Sequence, residues 1–318
     1  MRTSVNELVE AGANHSRPLR LAVVGAGRQG QRHLASATRL SAQQDFRLHA
    51  VVDPDPRCAE HAQASGAEFY PDVAALPNDI DACIVATPTA THFDVTKVLL
   101  ERGMDVLIEK PVTSRLAQIQ TLVRLAEDRE RIFQVGYLER HHPTFSVVRP
   151  DFSAPTQISS RRSTMGRTIA TVADLVLELM IHDLDVIAAW LGDEPTDVIW
   201  RYARANGSEV AGLLELRFDE GHRVRLHAKS GAGSAVRKTV VRGGGEVWRF
   251  SWGSSARPSW EVRDEPPAFA PPSDPLGRQL RAFVHSVRTR TPPLTDGRAA
   301  LRAMRLAEKA IAALNRFA

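Results

Sequence analysis

The chain of 318 residues is long enough for two domains, and its 43% hydrophobic and 25% charged residues are the balance of an ordinary soluble globular protein. A formal net charge of +4 without a dense basic run argues against a nucleic-acid-binding tail, and the apolar runs are too short to cross a bilayer. Two cysteines, Cys58 and Cys83, have no metal-like spacing; the reading is a reduced, cytoplasmic protein with no metal centre.

Residues 1–17, "MRTSVNELVEAGANHSR", lack the apolar core of a signal peptide and read as a flexible arm, with a capping box at Ser4 and Glu7 and a stop at Gly12. The apolar run from Leu19 to Val24 predicts a buried parallel strand. "GAGRQG" follows, and then a helix with Leu34, Ala37 and Thr38 at helical spacing. Glycines between a strand and a helix are the context a phosphate cradle requires. Gly25 permits the tight turn, Gly27 lets backbone approach a pyrophosphate, and Gly30 allows close helix–strand packing. Arg28 and Gln29 lie on the same loop, at a helix N-terminus that offers N–H groups to an anion.

Phe46 to Val52 reads as the next strand, with Asp53 at its end, twenty-three residues past Gly30. A carboxylate there accepts hydrogen bonds from adenosine ribose hydroxyls and repels a 2′-phosphate, which favours NAD. Arg28 and Arg57 keep NADP as the alternative. The alternation continues with strands at "IDACIVATP", "DVLIEKP" and "IFQVGY". Between them come a helix closed by Gly103 and an amphipathic helix with Ser114 as its expected N-cap. This order predicts a doubly wound parallel sheet, whose ligands bind at the carboxyl ends of the strands. Thr87, Pro88, His92, Glu109, Lys110 and Pro111 fall at such ends.

The stretch 171–192, "TVADLVLELMIHDLDVIAAWLG", reads as one helix, apolar on most sides. At 3.6 residues per turn Asp174, Glu178, His182 and Asp185 form one polar stripe, while Asp183 points elsewhere. Such a stripe makes either structural salt bridges or a catalytic row. After Gly192 strands take over, with a hairpin turning at Asp219-Glu220-Gly221. Arg223, Arg225, His227 and Lys229 alternate with apolar residues, so one face is basic, as a solvated face or a subunit contact. "SGAGSAVRKT" at 230–239 lacks the ending of a P-loop, and adjacent His141 and His142 are not a metal pair. The Pro-rich stretch 263–275 connects back to the final helices.

Four stretches, "VVGAGRQGQRH", "VATPTATH", "VLIEKPVT" and "LMIHDLDVIAAWLG", give the chain a resemblance to the glucose–fructose oxidoreductase, inositol dehydrogenase and MocA family. "DPLGRQLRAFVHSV" resembles that family's closing helix, and "QVGYLERHHP" with "ELMIHDLD" resembles its nucleotide-sugar 3-dehydrogenase subgroup. The resemblance implies a Rossmann domain at 18–138 and, at 139–318, a substrate-binding α+β domain with an open, largely antiparallel sheet. It implies hydride transfer between NAD(P) and a carbohydrate-like alcohol or ketone, and a homodimer or homotetramer built through that sheet. The family's lysine and histidine correspond to Lys110 and His182, and Glu178 stands where the family usually has aspartate. His182 then suits a general base, Lys110 stabilises the reacting oxygen, and Glu178 orients one of them. Expected substrate contacts are Arg140, His141, Arg161, Arg162 and Asp185, the arginines suiting an anionic, nucleotide-sugar type of substrate. Two other readings compete: a reductase of another carbonyl or imine, and a non-catalytic dinucleotide-binding sensor, against which Lys110 and His182 argue.

Overall fold

The computed structural model describes residues 17–42, 45–142, 145, 152–166, 169–207, 209–231, 234–251 and 274–317. The expected N-terminal capping box and most of the Pro-rich stretch lie outside these residues.

The first half alternates strands and helices because its apolar runs do. Strands β1 (Leu19–Val24), β2 (Phe46–Val52), β3 (Glu68–Tyr70), β4 (Ala82–Val85), β5 (Asp105–Ile108) and β6 (Phe133–Val135) form a parallel sheet of order β3-β2-β1-β4-β5-β6. Helices α1 (Arg28–Ser41), α2 (Ala59–Ser65), α3 (Thr89–Glu101) and α4 (Leu116–Asp128) make the connections. The central strands are buried on both faces, which explains their unbroken apolar sequences. Strand register decides where the site lies. Val24 pairs with Val52 and Val85, Val85 with Ile108, and Ile108 with Val135. These residues form one row at the carboxyl edge, and Gly25, Asp53, Ala86, Glu109 and Gly136 emerge from it side by side.

The second sheet, of order β12-β11-β7-β10-β9-β8, comprises β7 (Gln157–Thr164), β8 (Asp197–Asn206), β9 (Glu209–Arg217), β10 (Arg223–Ser230), β11 (Val236–Gly243) and β12 (Glu246–Ser251). All its pairs are antiparallel except β7 with β10. The hairpin turns at Asp219–Gly221, as the sequence predicts. Along β7 the inward residues Ile158, Ser160 and Arg162 are buried, while Gln157, Ser159 and Arg161 are exposed on the other face.

The expected helix over 171–192 is broken into α5 (Val172–Leu175), a π turn (Val176–Met180) and α6 (Ile181–Leu191). A π turn accommodates an extra residue, so the single stripe drawn at 3.6 residues per turn does not survive it. Asp174 leaves the stripe altogether and closes a capping box with Thr171. Arg115, not Ser114, precedes α4 as its N-cap residue.

Two helices close the molecule. α8 (Gly297–Phe317) brings Ala303, Met304 and Ala307 into a core shared by Val106, Leu122, Leu184 and Leu216, drawn from both sheets' surroundings. α7 (Pro275–Thr289) returns to the first sheet, where Leu280 and Phe283 pack with Leu21, Leu34 and Leu107. The Rossmann layer is thus completed by a segment beyond the expected domain boundary at 138.

Gly30 is the tightest point of this packing. A Cβ built there would lie 1.8 Å from the Gly25 carbonyl oxygen, so backbone would have to move. Gly30→Ala is expected to cost about 2–3 kcal/mol, in the upper range for overpacking, read as a lower midpoint in urea unfolding.

Candidate active site

Gly25 has φ +92, and a Cβ there would lie 2.7 Å from the Thr87 nitrogen. The turn therefore requires glycine, both for its left-handed backbone and for the loop after β4 that leans on it. At Gly27 the opposite holds: nothing lies within 4 Å of where a Cβ would be. That open space faces the start of α1, which has no side-chain cap and no acidic residue in its first turn. Uncapped N–H groups beside an empty, Cβ-free cradle suit a pyrophosphate. The Asp53 carboxylate is set beside the cradle by two backbone donors, Ala26 N at 2.8 Å and Asp55 N at 2.9 Å. Arg28 is exposed at the mouth, whereas Gln29 accepts a bond from Arg32 and Arg57 is turned to Asp55. These residues fit a dinucleotide.

Two residues expected to line that cradle support it from within. His92 is buried, with Nδ1 2.9 Å from the Pro111 carbonyl and Nε2 2.8 Å from the Thr87 carbonyl. It ties the loop after β4 to the loop after β5. Glu109 is buried too, 2.7 Å from His33 Nε2. Burial alone would push the Glu109 carboxyl up, but His33 and Lys110 together hold it below the usual range. His33, which sequence reasoning passed over, links α1 to the loop that carries Lys110. Its one sequence signal is its place three residues beyond Gly30.

Lys110 follows β5 and the buried Glu109, so its side chain leaves the carboxyl edge towards the second domain. Its Nζ donates to the Glu178 carbonyl oxygen at 2.9 Å and lies 3.3 Å from Glu178 Oε2. Glu178 belongs to the π turn, and His182 follows one helical turn later. Of the three expected catalytic residues, Lys110 and Glu178 thus meet from the two halves of the chain, one helical turn before His182. His182 keeps only 12% of its side chain exposed, with Nδ1 2.8 Å from Glu139 Oε2, at an angle short of a formed hydrogen bond. Burial is the largest influence on His182 and holds it below the usual histidine range, against the opposing pull of Glu139.

Glu139 is the residue the sequence reading missed. It leaves the turn after β6, is buried, and also accepts from Arg162 Nη1 at 2.8 Å. Arg162 in turn grips Asp183 through Nε and Nη2 at 2.9 and 3.0 Å. Burial would raise the Glu139 carboxyl, but His182 and Arg162 hold it well below its ordinary range. The available signal was an acid just beyond a strand's carboxyl end.

The expected substrate contacts are drawn into networks of protein partners. Arg162 is consumed by two carboxylates. Arg161 points to the opposite face of the sheet, where its Nε donates to His227. Arg140 is buried over the Phe145 ring, bonded to the Leu294 carbonyl and 3.4 Å from Asp185. Asp185 is 1% exposed, and burial pushes its carboxyl up to about 7 despite Arg140. His141 is buried against Thr295, and burial lowers it to about 4. Each of the five is held by other protein groups.

Residues 19–137 match a family described as an oxidoreductase family with an NAD-binding Rossmann fold, the Gfo/Idh/MocA family. The match spans the first sheet and its glycine loop. The UDP-N-acetylglucosamine 3-dehydrogenase of Acidithiobacillus ferrooxidans is 33% identical over 182 residues, covering 57% of this chain and 56% of that protein, little more than half its length. Inositol 2-dehydrogenase 4 of Saccharopolyspora erythraea is 28% identical over 281 residues, 78% of this chain and 81% of that one. The solved Acidithiobacillus structure superposes with TM-score 0.79 at 24% identity, over 94% of this chain and 98% of that one. GenD2 from gentamicin A biosynthesis, solved in complex with NAD, gives TM-score 0.78 at 19% identity, over 96% and 97%. These superpositions establish that both halves of the chain share the fold of those two proteins. Among the described residues, no group of His, Cys, Asp or Glu could hold a metal ion, and no helix is long and apolar enough to cross a membrane.

Asp53 is expected to give the dinucleotide cradle its selectivity. The parent protein is expected to bind NAD more tightly than NADP, and Asp53→Ser to lose about tenfold in NAD affinity while narrowing the gap. Calorimetry with both dinucleotides checks this; NADP as the tighter ligand of the parent would overturn the assignment.

Proposed function

We propose that the chain is an NAD-dependent dehydrogenase that oxidises a secondary hydroxyl of a carbohydrate-like substrate, with the reverse reduction available. The observation that carries this reading is the contact of Lys110 with Glu178, one helical turn before His182, at the strand edge that also carries the glycine loop. NAD, when bound, supplies the hydride acceptor. The substrate hydroxyl must also lose a proton, and His182 is built to take it at Nε2. Its Nδ1 faces the Glu139 carboxylate, which favours the tautomer with the proton on Nδ1. Lowering by burial leaves the imidazole neutral, and so able to accept, at neutral pH. Lys110, steadied by Glu178, presents positive charge to the oxygen as negative charge develops on it. Glu178 thereby takes an orienting role towards Lys110, and Glu139 the corresponding role towards His182.

The relatives' names, a UDP-N-acetylglucosamine 3-dehydrogenase and an inositol 2-dehydrogenase, support a nucleotide-sugar or cyclitol substrate. A homo-oligomer built through the outer face of the second sheet is supported by the polar side chains exposed there, Arg161, Arg201, Tyr202 and Arg225. A reducing cytoplasm suits the two free thiols, Cys58 and the buried Cys83. The direct test is NADH absorbance with UDP-N-acetylglucosamine, myo-inositol and free hexoses; no NADH from any of them in either direction would count against the reading.

Lys110→Ala and His182→Ala are each expected to lower turnover about a hundredfold, with NAD affinity changed less than about twofold. Steady-state kinetics beside NAD calorimetry separates the two effects; parent-like turnover in either variant removes that residue from the chemistry.

The pH dependence has a definite sign. A general base works above its pKa, so oxidation falls on the acid side as His182 becomes protonated, below its ordinary 6.5. Glu139 raises the His182 pKa, so Glu139→Gln should move this limb to still lower pH. It should also slow turnover roughly tenfold through loss of the favoured tautomer. A limb that stays in place in pH–rate profiles would separate Glu139 from His182.

A further inference from the structure

With Arg140, Arg161 and Arg162 committed elsewhere, a further arginine lies on the inner face of the second sheet. Arg237 on β11 stands directly opposite Arg162 of β7 in an antiparallel pair. Opposed residues project from the same face of a sheet. That face is the inner one, because the pairs Thr239–Ser160 and Val241–Ile158 on it are buried. Arg237 differs from Arg162 in two respects. It is exposed, and it makes no hydrogen bond or ion pair with any described residue. The acids nearest this strand end, Glu139 and Asp183, are already held by Arg162 and His182.

Arg32 is exposed in the early part of α1, one residue before His33, with Nη1 bonded to the uncharged Gln29 Oε1. Arg237 is surrounded by protein on most sides although its side chain reaches solvent, as a group lining a cleft is. That burial and the like charge of Arg162, against the opposing pull of Glu139, hold its guanidinium below the usual arginine range. An exposed guanidinium without an ion pair, on the same face as the buried Arg162, gains from the arrival of an anion. Phosphate accepts bidentate hydrogen bonds from such forks.

We propose that Arg237 binds a phosphate group of the substrate, so that the site takes a phosphate-bearing sugar such as a nucleoside diphosphate sugar in preference to a neutral cyclitol. The inference rests on the alcohol-oxidising reading of the cleft and adds the ligand class. Arg237 belongs to the substrate sheet, beside the residues that set His182, whereas the dinucleotide pyrophosphate has its own cradle at the start of α1.

The experiment is calorimetry on the full-length protein loaded with NAD, titrated with UDP-N-acetylglucosamine, UDP or myo-inositol. Arg237→Gln should weaken binding of both uridine ligands about tenfold or more, and Arg237→Lys less, while NAD affinity, measured separately, stays within about twofold of the parent. Added salt should weaken UDP binding to the parent more steeply than to Arg237→Gln. The proposal is overturned if Arg237→Gln binds UDP as the parent does, or if the parent binds neither uridine ligand. An equal loss in NAD affinity also overturns it, by assigning the arginine to the dinucleotide. NADH formation by the parent is scored independently. A protein that oxidises myo-inositol yet ignores UDP defeats this proposal and leaves the dehydrogenase reading standing.

Discussion

The Arg162 guanidinium, 2% exposed, bridges a carboxylate from each side of the domain junction. Glu139 arrives from the turn after β6 and Asp183 from α6, and each is bonded to a different part of the fork. A charge so deeply buried is tolerated only when its partners are complete, and removing one member of such a set costs about 3–5 kcal/mol. Here the set does more than balance charge. It fixes Glu139, which faces His182, and it holds α6 against β7, where Ser160 Oγ also donates to Asp183 at 2.7 Å. The orientation of the imidazole and the docking of the helix therefore depend on the same guanidinium.

The second connection between the halves is Lys110 on the π turn. A regular α-helix would direct its carbonyls along its own axis to its own amides; a π turn alters that ladder at one point. Lys110 Nζ donates to a carbonyl in that altered turn. Because the same lysine follows Glu109, which is fixed by His33, the placement of the ammonium is tied to α1 and the dinucleotide cradle as well.

Much of this arrangement was legible in the sequence, and what was legible obeys a period or a steric rule. The parallel strands are unbroken apolar runs, the hairpin turns where glycine follows two acids, and the glycine loop lies between strand and helix. The row of residues at the carboxyl edge follows from strand register alone. What could not be read is partnership. Arg140, Arg161 and Arg162 look alike as letters, yet one covers an aromatic ring, one lies on the far face of the sheet, and one is enclosed by carboxylates. Alternation along β7 separates Arg161 from Arg162, but it does not say which face meets the site. The π turn was equally hidden, since helical periodicity assumes the repeat that the turn interrupts. Arginine is also used for enclosure elsewhere: Glu215, 1% exposed, accepts from Arg201 and Arg217 and lies 3.4 Å from Arg225. Arginine content alone therefore says little about an anionic ligand.

The return of α7 to the first sheet bears on how the chain is made. Leu280 and Phe283 close a core whose other members, among them Leu21, Leu34 and Leu107, are synthesised far earlier. A nascent chain that has emerged only as far as β6 has all six strands of its first sheet but a hydrophobic surface still uncovered. The intervening domain must be produced before that surface is sealed, so this Rossmann layer is poorly suited to folding as an early, independent unit. Exposed apolar surface during translation is what chaperones recognise. The late helix makes the two halves of the protein mutually dependent in time as well as in space.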